Sequence, residues 1–261
     1  MRIGVIGLGA VGETVYHALR FYHKDVVGYD KYKPSDTFEK VAKSDVIFIA
    51  LPTDPQNHRL DCSLIKETLK KLERRRYSGV VVIKSTLSLD FIKELEGKKS
   101  RIVTMPEFLH ENARLQDFVR PKIVVVAGKK KDVDLVMNEV FYWQERKIPV
   151  YHVDHATAVM TKLVMNAFAA TKISFANEVR RLCKDYGVDP KVVMGIMVSE
   201  GRAAPEYTDP TKGPFDGKCL PKDLEELINC SDKAILLKAV KEVNEAVKKE
   251  LGKNEKLACD G

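Results

Sequence analysis

Hydrophobic residues in the first half of the chain fall into short unbroken runs separated by amphipathic stretches. The runs cover residues 3–6, 26–29, 46–51, 80–84, 102–103 and 123–127. Continuous apolar runs, unlike alternating ones, suit strands of a parallel sheet covered on both faces. Between them, residues 13–22, 38–43, 64–75 and 91–95 read as helices. Strands alternating with helices predict a doubly wound α/β domain, the Rossmann architecture, over residues 1–151. The pattern changes near residue 152. Residues 156–186 contain neither Gly nor Pro and predict one long helix, which Gly187 ends. A short helix is expected after Pro190, and a loop rich in Gly, Pro and Asp over residues 201–221. Helix resumes at residues 224–227 and 233–251, and a polar, frayed tail is expected over 252–261. Residues 152–261 therefore read as a mainly helical second domain.

Composition changes this picture little. The chain has 261 residues, 44% hydrophobic and 31% charged, so it can build its core without disulfides or metals. The net charge is +7, but the lysine clusters stand beside turns or on polar helix faces, as solvated surface does. No aromatic residues interleave with them, which argues against nucleic acid as a partner. The five cysteines are odd in number and lack a CxxC spacing, as free thiols in a reducing compartment would be. The chain opens on a strand-like run, without a signal peptide and without an apolar run long enough to span a membrane, so no membrane partner and a cytoplasmic location are expected. His152, His155 and Trp143 show no ligand pattern, and no metal is expected.

Candidate chemistry begins with the glycines. Gly7, Gly9 and Gly12 form a GxGxxG directly after the first strand and at the start of the first helix, with Val11 inside the motif. Gly7 permits the tight turn, Gly9 lets the backbone approach a pyrophosphate, and Gly12 lets helix and strand pack closely. The helix N-terminus offers free N–H groups and the positive end of its dipole. Asp30 ends the next strand, 18 residues after Gly12. A carboxylate there accepts hydrogen bonds from ribose hydroxyls and repels a 2′-phosphate, which favours NAD over NADP; Lys31 and Lys33 nearby work against that preference. The loop after the third strand, Pro52-Thr53, is a further cofactor-binding candidate.

A second stretch, Gly213-Pro-Phe-Asp-Gly217-Lys-Cys219-Leu-Pro-Lys222-Asp223, places a cysteine in a turn before a helix. A helix N-terminus and neighbouring cations, here Lys218 and Lys222, favour a thiolate. A thiolate can add to an aldehyde and then carry it to a thioester that water hydrolyses. An isolated cysteine is more often buried structure, which is the reading for the other four.

Taken together, these blocks resemble the UDP-glucose/GDP-mannose dehydrogenase family. The resemblance runs from Met1 to about Val247 and rests on Gly7–Gly12, Lys84-Ser-Thr86, Met105-Pro-Glu107-Phe-Leu-His-Glu111 with Asp117-Phe118, Lys162-Leu-Val-Met-Asn166 with Phe175-Ala-Asn177-Glu178, and Cys219-Leu-Pro-Lys222-Asp223. It implies a nucleotide-sugar substrate oxidised twice with NAD. It further implies Cys219 as nucleophile, Lys162 and Asn166 as oxyanion partners, Thr86 and Asp223 as the pair that positions a water, and Glu107 as acid/base. Phe108, Leu109 and Glu111 would join Glu107, Lys162 and Asn166 around the substrate, and Thr86 and Lys222 would also touch the cofactor. Taken singly, each residue has a plainer role open to it. Lys162 could be a solvated lysine, Asn166 a buried amide, Glu107 or Asp223 a helix-start acid, and Thr86 a strand-end cap.

Two departures stand out. The family's cysteine loop is usually richer in glycine, whereas Asp216 and Lys218 stand here. Family members usually carry a second Rossmann-like, UDP-binding domain after the helical one, so the chain reads as a short form. Apolar faces on its long helices then suggest a homodimer. Two alternatives stay open: a single-step β-hydroxyacid-type dehydrogenase, which does not need Cys219, and an NAD-binding protein without activity.

Overall fold

The computed structural model describes residues 1–95, 100–110, 112–144 and 147–259, with side chains described through residue 252. Two compact units emerge: Met1–Gln56 with Leu60–Lys162, and Asn57–Arg59 with Leu163–Gly261.

The first unit is built on a seven-stranded sheet. Its strands are β1 (Ile3–Ile6), β2 (Val26–Tyr29), β3 (Val46–Ile49), β6 (Val80–Ile83), β7 (Ile102–Thr104), β8 (Val124–Ala127) and β9 (Val150–Val153), in the order β2-β1-β3-β6-β7-β8-β9. A separate two-stranded ribbon is formed by β4 (Pro55–Gln56) and β5 (Arg59–Leu60). Val, Ile and Phe make up most of strands β1, β3, β6 and β8, with Gly4 and Ala127 the exceptions, and all four are buried throughout. Helices α1 (Ala10–Tyr22), α2 (Phe38–Val41), α3 (Ser63–Arg74), α4 (Leu89–Leu95), α5 (Arg114–Val119) and α6 (Lys130–Leu135) connect the strands. A π-helical turn, Val136–Val140, extends α6. Val15 and Leu19 of α1, Phe118 of α5 and Phe141 pack into one core with Phe48 and the strand valines.

The expected all-parallel sheet holds from β2 to β7, but β7 and β8 pair antiparallel, through Thr104 and Ala127, so the sheet is mixed. The strand β9 escaped the sequence pattern because it is an exposed edge, Val-Tyr-His-Val, paired on one side only. The β4–β5 ribbon, too short to give a pattern, also escaped it, as did the short helices α5 and α6.

The register decides where chemistry gathers. Ile6 pairs with Tyr29 and Ile49, Ile49 with Ile83, and Ile83 with Thr104. The next residues, Gly7, Asp30, Ala50, Lys84 and Met105, therefore leave the sheet along one edge. Because β2 and β3 flank β1 on opposite sides, that edge contains a topological switch point, where open α/β sheets take ligands.

The second unit is helical. Helix α7 (His155–Asp185) enters it from the first, one residue earlier at each end than the sequence pattern, and Gly187 follows at φ 64° as expected of a C-cap. Helix α8 (Pro190–Ser199) is capped by Asp189, whose carboxylate accepts from the Lys191 amide. Helix α9 runs Cys219–Cys230, much longer than the 224–227 segment the pattern suggested, and α10 (Ile235–Cys259) continues through most of the tail expected to fray. Ser174 of α7 donates to the Val240 carbonyl of α10 at 3.0 Å. The buried Leu224, Leu227, Val240 and Val247 contribute to this unit's interior. Among the described residues no helix is long and apolar enough to cross a membrane, and no His/Cys/Asp/Glu cluster could hold a metal ion.

Candidate active site

The glycine turn follows from backbone demands. Gly7 sits at φ 87°, a region side chains rarely adopt, and a Cβ on Gly12 would lie 1.7 Å from the Gly7 carbonyl oxygen. Gly9 differs: a Cβ there would meet nothing within 4 Å. Gly9 is also the N-cap of α1 and provides no side-chain cap, so the first amides of the helix are open to an anion. Asp30 accepts from the Leu8 amide at 2.7 Å and from the Tyr32 amide at 2.8 Å, one bond to each oxygen. A carboxylate oxygen has a second lone pair, so Asp30 keeps capacity for ribose hydroxyls. Lys33 bonds the Leu8 carbonyl and the Glu13 carboxylate, both at 2.6 Å, so its charge is already partnered. These features fit a dinucleotide. Val11 packs half-buried against the core. Thr53 donates to the Thr86 carbonyl at 2.8 Å, and Ser85 to the Leu51 carbonyl at 2.7 Å, which joins the loops after β3 and β6.

Along the same sheet edge, β6 delivers Lys84 and β7 leads into Glu107. One Glu107 oxygen accepts from the Leu109 amide at 2.8 Å, and the other lies 3.5 Å from Lys162 Nζ. Lys162 is buried, as is Lys84, whose Nζ donates to the Pro106 carbonyl at 3.4 Å. Burial pushes the Lys84 amine down to about 8; the Glu107 carboxylate acts against this and the Lys162 ammonium with it. Lys162 thus pairs with the half-buried Glu107, and the buried Lys84 feels the charge of both. The motif Lys84-Ser-Thr86 flagged this stretch, but no sequence signal singled out Lys84 as the buried cation. Lys162 also lies 5.7 Å from the centroid of the half-buried Phe108 ring. Glu111 lies outside the described residues. His155 pairs with the Thr104 hydroxyl at 2.8 Å, and His152 with the Gly128 carbonyl at 2.9 Å. Trp143 stacks on Tyr22 with centroids 4.0 Å apart.

In the helical unit, α9 begins at Cys219. Among the described cysteines Cys219 is exposed, Cys62 and Cys183 are buried and Cys230 is half-buried. The loop before it is held from two helices. Asn177 of α7 donates to the Gly213 carbonyl at 2.7 Å, and Asn244 of α10 brackets Phe215 by accepting from its amide at 2.9 Å and donating to its carbonyl at 3.0 Å. One turn into α9, Asp223 is fully buried. Asn166 Nδ2 donates to one of its oxygens and Lys222 Nζ to the other, both at 2.5 Å. Because the helix starts at the cysteine, Cys219 and Asp223 share a face.

The chain matches the UDP-glucose/GDP-mannose dehydrogenase family in two parts: the NAD binding domain over residues 31–145 and the central domain over residues 156–246. It is 32% identical over 225 residues to the UDP-glucose 6-dehydrogenase YwqF of Bacillus subtilis, covering 80% of this chain and 50% of that protein. It is 29% identical over 227 residues to the UDP-glucose 6-dehydrogenase of Campylobacter jejuni, covering 82% of this chain and 56% of that protein. The chain thus spans about half the length of the curated relatives it matches. Among solved structures, a UDP-glucose dehydrogenase from Pyrobaculum islandicum superposes with a TM-score of 0.82 at 27% identity, covering 94% of this chain and 68% of that one.

Proposed function

For a chain that belongs to the UDP-glucose/GDP-mannose dehydrogenase family, we propose an NAD-dependent oxidation of the primary alcohol of a nucleotide sugar to a carboxylate, in two steps, through a covalent thioester on Cys219. The observation that carries this reading is the placement of the exposed Cys219 at the first turn of α9, one turn before an Asp223 gripped by Asn166 and Lys222.

NAD, when bound, supplies the acceptor for the hydride of each oxidation; Gly7–Gly12 and Asp30 would hold it. The proton of the alcohol leaves to solvent through the water that Thr86 and Asp223 position, as the aldehyde forms. The Cys219 thiolate then adds to the aldehyde carbon, forming a C–S bond and an oxyanion. Lys162 meets that oxyanion by charge and Asn166 by hydrogen bond. Loss of the second hydride leaves the thioester. Water, positioned by Thr86 and Asp223 and deprotonated by Glu107, adds to the thioester carbon. The C–S bond breaks, and the carboxylate and a thiolate result.

Replacing Cys219 by Ser tests the reading. Purified protein with NAD and a panel of UDP- and GDP-sugars should lose acid formation by at least ~10³-fold in kcat while NAD affinity is unchanged. A variant that keeps parental turnover leaves a single-step dehydrogenase instead. No NADH from the parent on any of these sugars leaves a dinucleotide binder.

The chain is further proposed to pair with a second copy through α7. Val164, Phe168, Phe175 and Leu182 are 49%, 62%, 50% and 56% exposed, and their spacings of four, seven and seven residues repeat along one helix face. Sedimentation velocity should give a dimer mass that Phe175→Glu shifts to the monomer; a parental monomer at micromolar concentration ends this proposal.

A further inference from the structure

We propose that Arg59 is a positioning residue for the Cys219 thiol: its guanidinium grips the buried carboxylate of Glu226 and so fixes the rotation and slide of α9, whose first turn carries the sulfur. The inference rests on the reading of Cys219 as nucleophile and adds to it a residue that touches neither substrate nor cofactor.

The grip begins in the β4–β5 ribbon. Its two-residue turn, Asn57-His58, has φ of 49° and 63°, both left-handed, as in the type I′ turn that suits a tight hairpin. Such a turn leaves its flanking residue little freedom, and that residue is Arg59. Arg59 Nε lies 3.1 Å from Glu226 Oε2 and Nη2 lies 3.0 Å from Oε1, a two-bond fork onto a carboxylate that is 0% exposed. Arg59 Nη1 also reaches the Asn229 carbonyl at 3.4 Å. Asn229 Nδ2 returns a bond of 3.4 Å to the His58 carbonyl, and His58 Nδ1 stands 2.9 Å from Glu225. The ribbon tip therefore holds α9 at several points, and on the helix side Glu226 is buried.

Glu226 lies seven residues after Cys219 and three after Asp223, so all three share one face of α9. Two fully buried carboxylates on that face are held by different partners, Asp223 by Asn166 and Lys222, Glu226 by Arg59. Two directional grips about a turn apart set a helix's rotation and its position along the axis. A rotation of about 20° would move a side-chain tip 5–6 Å from the axis by about 2 Å. Misplacement by about 1 Å can cost about 10²-fold in rate when a nucleophile must meet its carbon at near-attack distance. An apolar pair of similar volume would fill the same space without directional bonds, and an ion pair with Glu226 buried and Arg59 30% exposed stabilises little beyond it. The function of this one is therefore orientation.

The test uses the full chain with NAD and two probes, UDP-glucose and GDP-mannose. Arg59→Met with Glu226→Leu removes both charges and keeps the volume, so no buried charge is left alone. Arg59→Lys keeps the charge and loses the fork. Three quantities are read: kcat against KM, the share of product trapped as free aldehyde rather than acid, and the iodoacetamide alkylation rate of the Cys219 peptide by mass spectrometry. The double variant should lose at least tenfold in kcat with KM within twofold, release more aldehyde, and change the alkylation rate at least fivefold; Arg59→Lys should fall between it and the parent. Parental kcat, product share and alkylation rate in the double variant overturn the proposal. Should the double variant not fold, parental values in Arg59→Lys overturn it equally. If the parent forms no NADH with either probe, the dehydrogenase reading falls and the alkylation rate alone decides the role of Arg59.

Discussion

The glycine turn after β1 and the buried face of α9 solve placement in opposite ways. At the turn, backbone does the work: a positive φ at Gly7, a missing Cβ at Gly12, and uncapped amides at the start of α1. On α9, side chains do it: Asp223 and Glu226 are out of water and each is held by a partner distant in sequence, 57 residues away for Asn166 and 167 for Arg59, with the adjacent Lys222 also on Asp223. A backbone site tolerates change in any side chain that points away from it and fails when a single methyl is added. A site made of paired polar groups fails when one partner goes, because the other is left buried without its bond.

This contrast can be broken at the turn. Gly12→Ala drives a methyl into the Gly7 carbonyl oxygen and should both lower Tm and weaken NAD binding at least ~10²-fold. Gly9→Ala adds the same methyl to open space, so Tm should stay within about 2 °C while NAD affinity falls about tenfold or more by calorimetric titration. Undiminished NAD binding by Gly9→Ala would show that the cofactor does not approach that backbone.

A smaller effect sharpens the comparison, because the sheet edge also holds a side-chain device. Burial lowers the Lys84 amine from 10.5 to about 8, so at neutral pH it is mainly charged, beside Glu107 and Lys162. As pH rises through about 8 that charge is lost, and kcat should fall along an alkaline limb that Lys84→Met lacks, at a cost of about tenfold in kcat near neutrality. Stability moves the other way. Between about 8 and 10.5 the unfolded chain holds more protons at this site than the folded one, so the Lys84 contribution rises with pH in that window. Lys84→Met should therefore be no less stable than the parent at pH 7, and the stability difference should close toward pH 10.5, read by urea unfolding at both values. An alkaline limb that persists in Lys84→Met would assign it to another group.

Much of the molecule is legible in its sequence. The apolar runs marked β1, β2, β3, β6, β7 and β8, the absence of Gly and Pro marked α7, and the glycine spacing marked the turn with Asp30 at the next strand end. These features are local: a strand's burial, a helix's continuity and a glycine's φ are each written within a few residues. Neither the start of α9 at Cys219 nor its extent to Cys230 was legible: Pro221 masked the helical pattern of the first turn, so the cysteine read as part of a turn before a shorter helix. The antiparallel join of β7 and β8 was hidden because an isolated strand carries no mark of its neighbour's direction.

By itself, then, the sequence determined the order of the main strands and helices, the glycine turn and which cysteine is the candidate thiol. Tertiary structure alone decided that Lys162 pairs with Glu107 near the buried Lys84, that Asn244 brackets the backbone of the cysteine loop, and that Arg59 reaches Glu226. The physical reason is range. Apolar runs and backbone torsions act on adjacent residues, whereas a buried charge takes whichever partner the packed chain brings within about 3 Å, and no spacing along the sequence encodes that meeting.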